Sequence, residues 1–216
     1  MQMYFFVLFF ASMLEALKSS RFLFVIPDKP KKTSQKFYWN LADYGTNKLG
    51  LEVYLIDVKW KKHHSLLECM LEATQKIHEI VEELRPTEIF FTGKGIGALL
   101  ACQLGYMYQC DGMLLDRMPP LFEEELSKFN WMFKWKSRAK AYHYKNRPSY
   151  PKFQIKSPSY FLYKENQKKM VEKVKPIRDK IFQKKDYHFF QKKGVFKEKE
   201  SIWETYQMVL KKLTGA

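Results

Sequence analysis

The chain has 216 residues, 46% of them hydrophobic, 17% aromatic and 28% charged, which excludes a disordered chain and suits one domain with a sizeable core. Its net charge of +15 is uneven: residues 1–120 hold 14 Lys/Arg against 13 Asp/Glu, and residues 121–216 hold 24 against 10. Cys69, Cys102 and Cys110 are an odd number without paired spacing, so no disulfide framework is expected and reduced thiols in the cytoplasm fit better.

The chain opens on MQMYFFVLFFASML. Its apolar run of roughly twelve residues falls short of the ~18 that cross a bilayer, and it lacks the basic leader and clear cleavage site of a signal peptide. A buried strand or helix is expected over residues 1–17, and a peripheral membrane contact stays open. Arg21–Ile26 then reads as a short β-rich run closed by Pro27 and Asp28. Phe37, Tyr38, Leu41 and Tyr44 lie at helical spacing within 34–48, and Gly50 is a plausible stop. The run at 51–58, LEVYLIDV, predicts a strand buried on both faces. Leu66, Met70, Ala73, Ile77, Ile80, Val81 and Leu84 form an i, i+3/i+4 stripe, a helix that Pro86 ends. TEIFFTG (87–93) predicts a third strand, Ile96–Tyr108 a helix, and GMLLD (112–116) a fourth strand.

Between Pro119 and Pro158 the alternation gives way to charged and aromatic sequence. It resumes with SYFLY (159–163), a helix near 167–182 interrupted by Pro176, and YHFFQ (187–191). Ser201 and Glu204 have capping-box spacing and predict the start of a last helix. Repeated β-α order calls for an α/β fold with a mostly parallel central sheet and helices on both faces. No internal repeat and no linker divides the chain, so residues 1–216 are expected to form a single domain.

In such sheets ligands gather at the C-terminal strand ends, and there the sequence reads FFTGKGIGALLA (90–101). The strand, the tight turn and the small-residue helix resemble the α/β-hydrolases, whose nucleophile elbow reads G-x-S-x-G. Gly93 and Gly97 match the outer glycines, and Gly95 stands where the nucleophile would. The likeness covers about residues 21–213, with the N-terminal strands shortened, and it makes 121–156 a cap-like insertion. It implies that the base falls at Val195, that Glu165 is a possible remnant acid, with Asp116 at the other strand end where some hydrolases keep theirs, and that Pro27 and Asp28 occupy the oxyanion loop. Glycine cannot attack, valine cannot accept a proton, and proline offers no N–H. The resemblance therefore implies the scaffold without its triad.

Other residues leave an active esterase or acyl hydrolase open as the alternative. Cys102 lies about 10 Å down the helix from Gly95 at 1.5 Å per residue, and small buried cysteines are common in helices of this composition. His188 sits within a predicted strand, Asp116 can pair with Arg117, and His63, His64 and His143 occupy no family position. The turn matches neither a dinucleotide fingerprint nor a P-loop. No cofactor is implied, and no spacing suggests a metal site.

Gly93, Lys94, Gly95 and Ile96, with Pro27 and Asp28, are the candidate ligand-binding residues, since a helix N-terminus favours anions. Gly95 also fits a simply relaxed turn. The insertion turns from Glu123–Glu125 to Trp131, Phe133 and Trp135 interleaved with lysines. Its lysines can stay in water while the aromatics pack on the core. As a docking surface, the basic half suits an acidic protein partner first, then an anionic membrane surface, then nucleic acid. The expected function is that of a catalytically inactive binding or assembly subunit.

Overall fold

The computed structural model describes residues 20–27, 32–58, 66–118, 154–190 and 194–216. Residues 1–17, Asp28, His63, His64, His143 and nearly all of the 121–156 insertion lie outside them. The described elements run β1 (Arg21–Ile26), α1 (Lys32–Leu49), β2 (Glu52–Leu55), α2 (Leu66–Leu84), β3 (Glu88–Lys94), α3 (Ile96–Met107), β4 (Gly112–Asp116) and β5 (Ser159–Lys164). A 3-10 turn (Glu165–Gln167) follows, then α4 (Lys168–Ile181), β6 (Lys185–Phe190) and α5 (Gly194–Thr214).

The strands form one six-stranded sheet in the order β2-β1-β3-β4-β5-β6, every neighbouring pair parallel. Parallel strands need crossovers, and these place helices on both faces. The pleat then sorts the strand residues by parity. Phe22, Phe24, Phe91, Met113, Leu115 and Phe161 pack with Ala73 and Ile77 of α2, the small and apolar residues of α3, and Val171 and Ile181 of α4. Leu23, Val25, Phe90, Leu114, Tyr160 and Leu162 pack on the other face with α1 and α5. Buried on both sides, the central strands read as unbroken apolar runs. Two cores flank one sheet, with α2, α3 and α4 on one side and α1 and α5 on the other.

Three expectations need correcting. The 51–58 run is not a strand buried on both faces: β2 spans only Glu52–Leu55 at the sheet margin, with its end residues exposed. An outermost strand has one ladder partner, so half of its surface goes uncovered; Leu55 is 53% exposed. Helix α4 is not interrupted at Pro176, which lies inside it. The carbonyl four residues back that proline leaves without an N–H belongs to Glu172, an exposed residue where water can serve. Finally, α5 begins at Gly194 rather than Ser201. The VFKEKE stretch contains no breaker, and nucleation seven residues earlier costs the helix nothing.

Helix α4 is fastened by a buried cation. The Arg178 side chain is fully buried, its guanidinium 5.0 Å from the Phe161 ring centroid and 5.4 Å from that of Tyr163. Its Nη1 donates to the Tyr163 hydroxyl, which in turn donates to the Met118 carbonyl at 2.9 Å.

The sheet order predicts that Phe91→Ala, in the fully buried centre of β3, costs about 3–5 kcal/mol. Leu55→Ala at the margin should stay within about 0.5 kcal/mol; urea unfolding of both variants measures the contrast. Burial also pushes the Cys110 thiol up to about 12 from its ordinary 9.0. Because the folded chain holds that proton longer than the unfolded one, this stability is intact below pH 9.0 and is lost as pH rises from there towards about 12. Unfolding free energy between pH 9 and 11 should fall more steeply in the native protein than in Cys110→Ala, by up to about 1.4 kcal/mol per pH unit.

Candidate functional site

Strand β1 passes to β2 on one side of it, while β3 passes to β4 on the other. Helices α1 and α3 accordingly leave the adjacent strands β1 and β3 towards opposite faces. That reversal opens a crevice at the C-terminal ends of β1 and β3, the place where open α/β sheets take ligands. Pro27 ends β1, and Lys94 and Gly95 end β3. Five of the six residues expected to bind a ligand, Pro27, Gly93, Lys94, Gly95 and Ile96, thus converge at the reversal; Asp28 is outside the described residues.

The crevice is tight because three backbones meet there. A Cβ on Gly93 would lie 2.3 Å from the Gly97 carbonyl oxygen, and one on Gly97 would lie 2.3 Å from that of Ile26 and 2.7 Å from that of Pro27. Neither position has room for a side chain. Between them Gly95 turns the chain from strand to helix with φ 57° and ψ −123°, a region essentially reserved for glycine. Its N–H donates to the Asp116 carbonyl at 2.8 Å, and its carbonyl accepts from Ala98 N–H at 3.1 Å. Lys94 and Ile96 are half-buried on either side.

Beneath the turn lies a polar group that the sequence disclosed only in part. Asp116 is 1% exposed and accepts two hydrogen bonds from Arg117, Nε to Oδ1 at 2.7 Å and Nη2 to Oδ2 at 2.8 Å. The Tyr206 hydroxyl, from α5, also hydrogen-bonds Asp116, and burial first, then the Asp116 charge, hold its pKa well above the ordinary 10. Arg117 adopts φ 51° and donates its N–H to the Leu162 carbonyl at 2.7 Å. The adjacent Asp-Arg pair was readable as an ion pair. Tyr206 was readable only as part of an apolar stripe, since nothing local links it to a carboxylate 90 residues earlier.

Other candidates lie elsewhere. Glu165 is exposed at the start of the 3-10 turn after β5. Val195 falls in the first turn of α5. Cys102 is buried in the core, as are Cys69 and Cys110. His188 lies in β6, three strands from β3, which is roughly 14 Å across the sheet at 4.7–4.9 Å per strand. Its Nε2 is 3.3 Å from Asp186 Oδ2 without the alignment of a hydrogen bond, and its ring stacks on Tyr160. An open cleft of about 720 Å³, lined among others by Tyr106, Met107, Cys110, Asp111 and Lys156, lies at the opposite end of the sheet from Gly95. Among the described residues, no group of three His, Cys, Asp or Glu could hold a metal ion, and no helix is long and apolar enough to cross a membrane.

The glycine contacts predict that Gly97→Ala destabilises by about 1–3 kcal/mol or more, because the obstructing atoms are backbone and cannot rotate away. Gly95→Ala should cost about 1–3 kcal/mol through conformation alone. Thermal unfolding of the two variants checks both.

No protein-family model and no curated protein matches the chain. Solved structures do. An esterase of Pyrococcus furiosus superposes with a TM-score of 0.61 at 13% identity, over 91% of this chain and 82% of that one. Est1E from Butyrivibrio proteoclasticus, solved with ferulic acid, gives 0.63 at 10% identity over 93% and 92%. An α/β serine hydrolase homologue from Coxiella burnetii gives 0.56 at 14% identity over 91% and 84%. Identities this low speak for architecture alone, and the architecture agrees with the parallel sheet and its two helix layers: the chain has an α/β-hydrolase-like fold.

Proposed function

We propose that this chain is a hydrolase scaffold used for binding rather than for hydrolysis: a subunit that engages an acidic protein partner, or an anionic ligand, at the crevice beside Gly95. One observation carries the reading. The turn has the sharp strand-to-helix geometry of a nucleophile elbow, φ 57° and ψ −123°, around a residue with no side chain to attack with.

The neighbouring positions support it. Pro27 offers no N–H to an oxyanion, and Val195, at the position that the resemblance assigns to the base, carries no titratable group. What remains chemically is a helix N-terminus, worth about half a positive charge, with the Lys94 cation next to it. An acidic side chain, a carboxylate or a phosphate suits that field. The excess of 24 Lys/Arg over 10 Asp/Glu in residues 121–216 would draw the same class of partner from a distance.

The second reading, an esterase acting through residues outside the family pattern, draws on the fold neighbours, which include an esterase. Hydrolysis of a panel of short- and long-chain activated esters separates the two. The purified protein should show no rate above background, and Gly95→Ser should not create one, since no base stands at Val195. A native rate that falls in Gly95→Leu, which blocks the crevice, would overturn the binding reading.

A further inference from the structure

Strand β2 ends the sheet on one side and, among the described residues, pairs with β1 alone. Ile56 N–H donates to the Val25 carbonyl at 2.9 Å. Backbone groups alternate sides along a strand in a parallel ladder. Tyr54 therefore also faces β1, while the N–H and C=O of Val53 and Leu55 point outwards from the edge. The strand reads EVYL and carries neither the proline nor the lysine that commonly blunt such an edge. The two faces beside it differ in chemistry. On the α2 face Tyr54 packs against the core, and its hydroxyl donates to Glu52 at 2.9 Å. Glu72, Lys76, Glu79 and Glu83 recur at helical spacing and form one row of α2. That row is turned towards β2: Lys76 Nζ donates to the Asp57 carbonyl at 2.5 Å, and burial first, then Glu52, then the Glu83 charge push the Tyr54 hydroxyl up to about 12. Lys76 is paired with Glu72 at 2.9 Å, whereas Glu52, Glu79 and Glu83 are exposed. The margin of this chain of net charge +15 is thus acidic on one face. On the α1 face Val53 lies under Gly45, where a Cβ would come 2.6 Å from Val53 Cγ2, and Leu55, next on that face, is 53% exposed. Phe37 and Tyr44 turn one side of α1 to Trp203 of α5. Trp39 lies about 150° round the helix from them, at about 100° per residue, on the side of the margin, and is 74% exposed.

We propose that the β2 margin receives an extended segment of a partner protein by strand addition, and that this segment alternates basic and apolar residues. The outward N–H and C=O groups of Val53 and Leu55 supply the backbone pairing. Side chains of an added strand point alternately to the two faces. One set meets Glu52 and Glu83, with Glu79 a turn further along α2, and opposite charges across a strand pair stabilise it. The other set meets Leu55 and Trp39, which offer apolar surface. A second copy of β2 is a poor occupant, because a two-fold contact brings the same carboxylates to each other. The charge preference is the reverse of that at the crevice beside Gly95, so the two readings stand apart.

The test is the fluorescence anisotropy of a labelled octapeptide of alternating lysine and valine, titrated with the purified full chain at physiological ionic strength. Binding should saturate, although both molecules are cationic and repel each other elsewhere. A peptide with the same lysines and valines gathered in two blocks should bind more than tenfold more weakly, since it cannot sort charge and apolar surface to opposite faces. The alternating peptide N-methylated throughout keeps its side chains and loses its N–H donors, and it should not bind. Glu52→Lys/Glu83→Lys should weaken the lysine–valine peptide more than tenfold, or about 1.4 kcal/mol. The same variant should take up an alternating glutamate–valine peptide that the native chain rejects, and that gain also shows that the variant is folded. No saturable binding by the native chain, equal binding of the block or N-methylated peptide, or a double variant that keeps the native preference overturns the proposal.

Discussion

The close approach of three backbones around Gly97 is the constraint on which the rest of the molecule depends. Helix α3 can leave β3 where it does only because Gly97 lets the Ile26 and Pro27 carbonyls come closer than any Cβ permits, and because Gly93 does the same for Gly97. With its start pressed between β1 and β3, α3 is seated on the middle of the sheet. Gly97 through Gly105 are all buried, which excludes charge from this helix and leaves it to the helices on either side. The absence of charge from α3 thus goes with a steric condition at one turn.

The same condition fixes the shape of the turn at Gly95. For a residue bearing a side chain, φ 57° with ψ −123° is strain on the order of 1–3 kcal/mol, tolerated where it positions a reactive group. Glycine takes up that conformation without the strain. The dihedral angles are imposed by what flanks the turn, namely the contact of Gly93 with Gly97 and the hydrogen bond from Gly95 N–H to the Asp116 carbonyl. The shape of the turn is therefore a property of the scaffold. A shared fold is a matter of backbone, and the chemistry depends on side chains that the fold does not fix.

Much of the fold was legible because punctuation and pattern coincided. Arg21–Ile26 and Gly112–Asp116 are bounded by proline, glycine and aspartate, and both strands have the expected limits. The five-turn stripe of α2 has the period of one buried helix face and nothing to contradict it. What was not legible was relational. Whether LEVYLIDV lies at the centre or the margin of a sheet depends on strands elsewhere in the chain, and the apolar run is the same in both cases. Ser201 and Glu204 satisfy capping-box spacing inside a helix as well as at its start. The candidate crevice was visible in the glycine spacing, whereas its support by Tyr206 joins residues that only the folded sheet brings together.

The exit of β4 is where these relations meet. Asp116 holds the elbow through its carbonyl and α5 through its carboxylate and Tyr206. Arg117 neutralises that carboxylate and docks on β5, and two residues after Asp116 the Met118 carbonyl takes the Tyr163 hydroxyl that also serves Arg178 of α4. Buried ions are costly unless each is paired and hydrogen-bonded, and here the ions are satisfied by groups drawn from different layers. A tyrosine hydroxyl does this twice because it donates and accepts at the end of an otherwise apolar side chain. Residues 116–118 therefore tie the turn at Gly95 to both helix layers at the point where the chain leaves the sheet for the basic aromatic insertion.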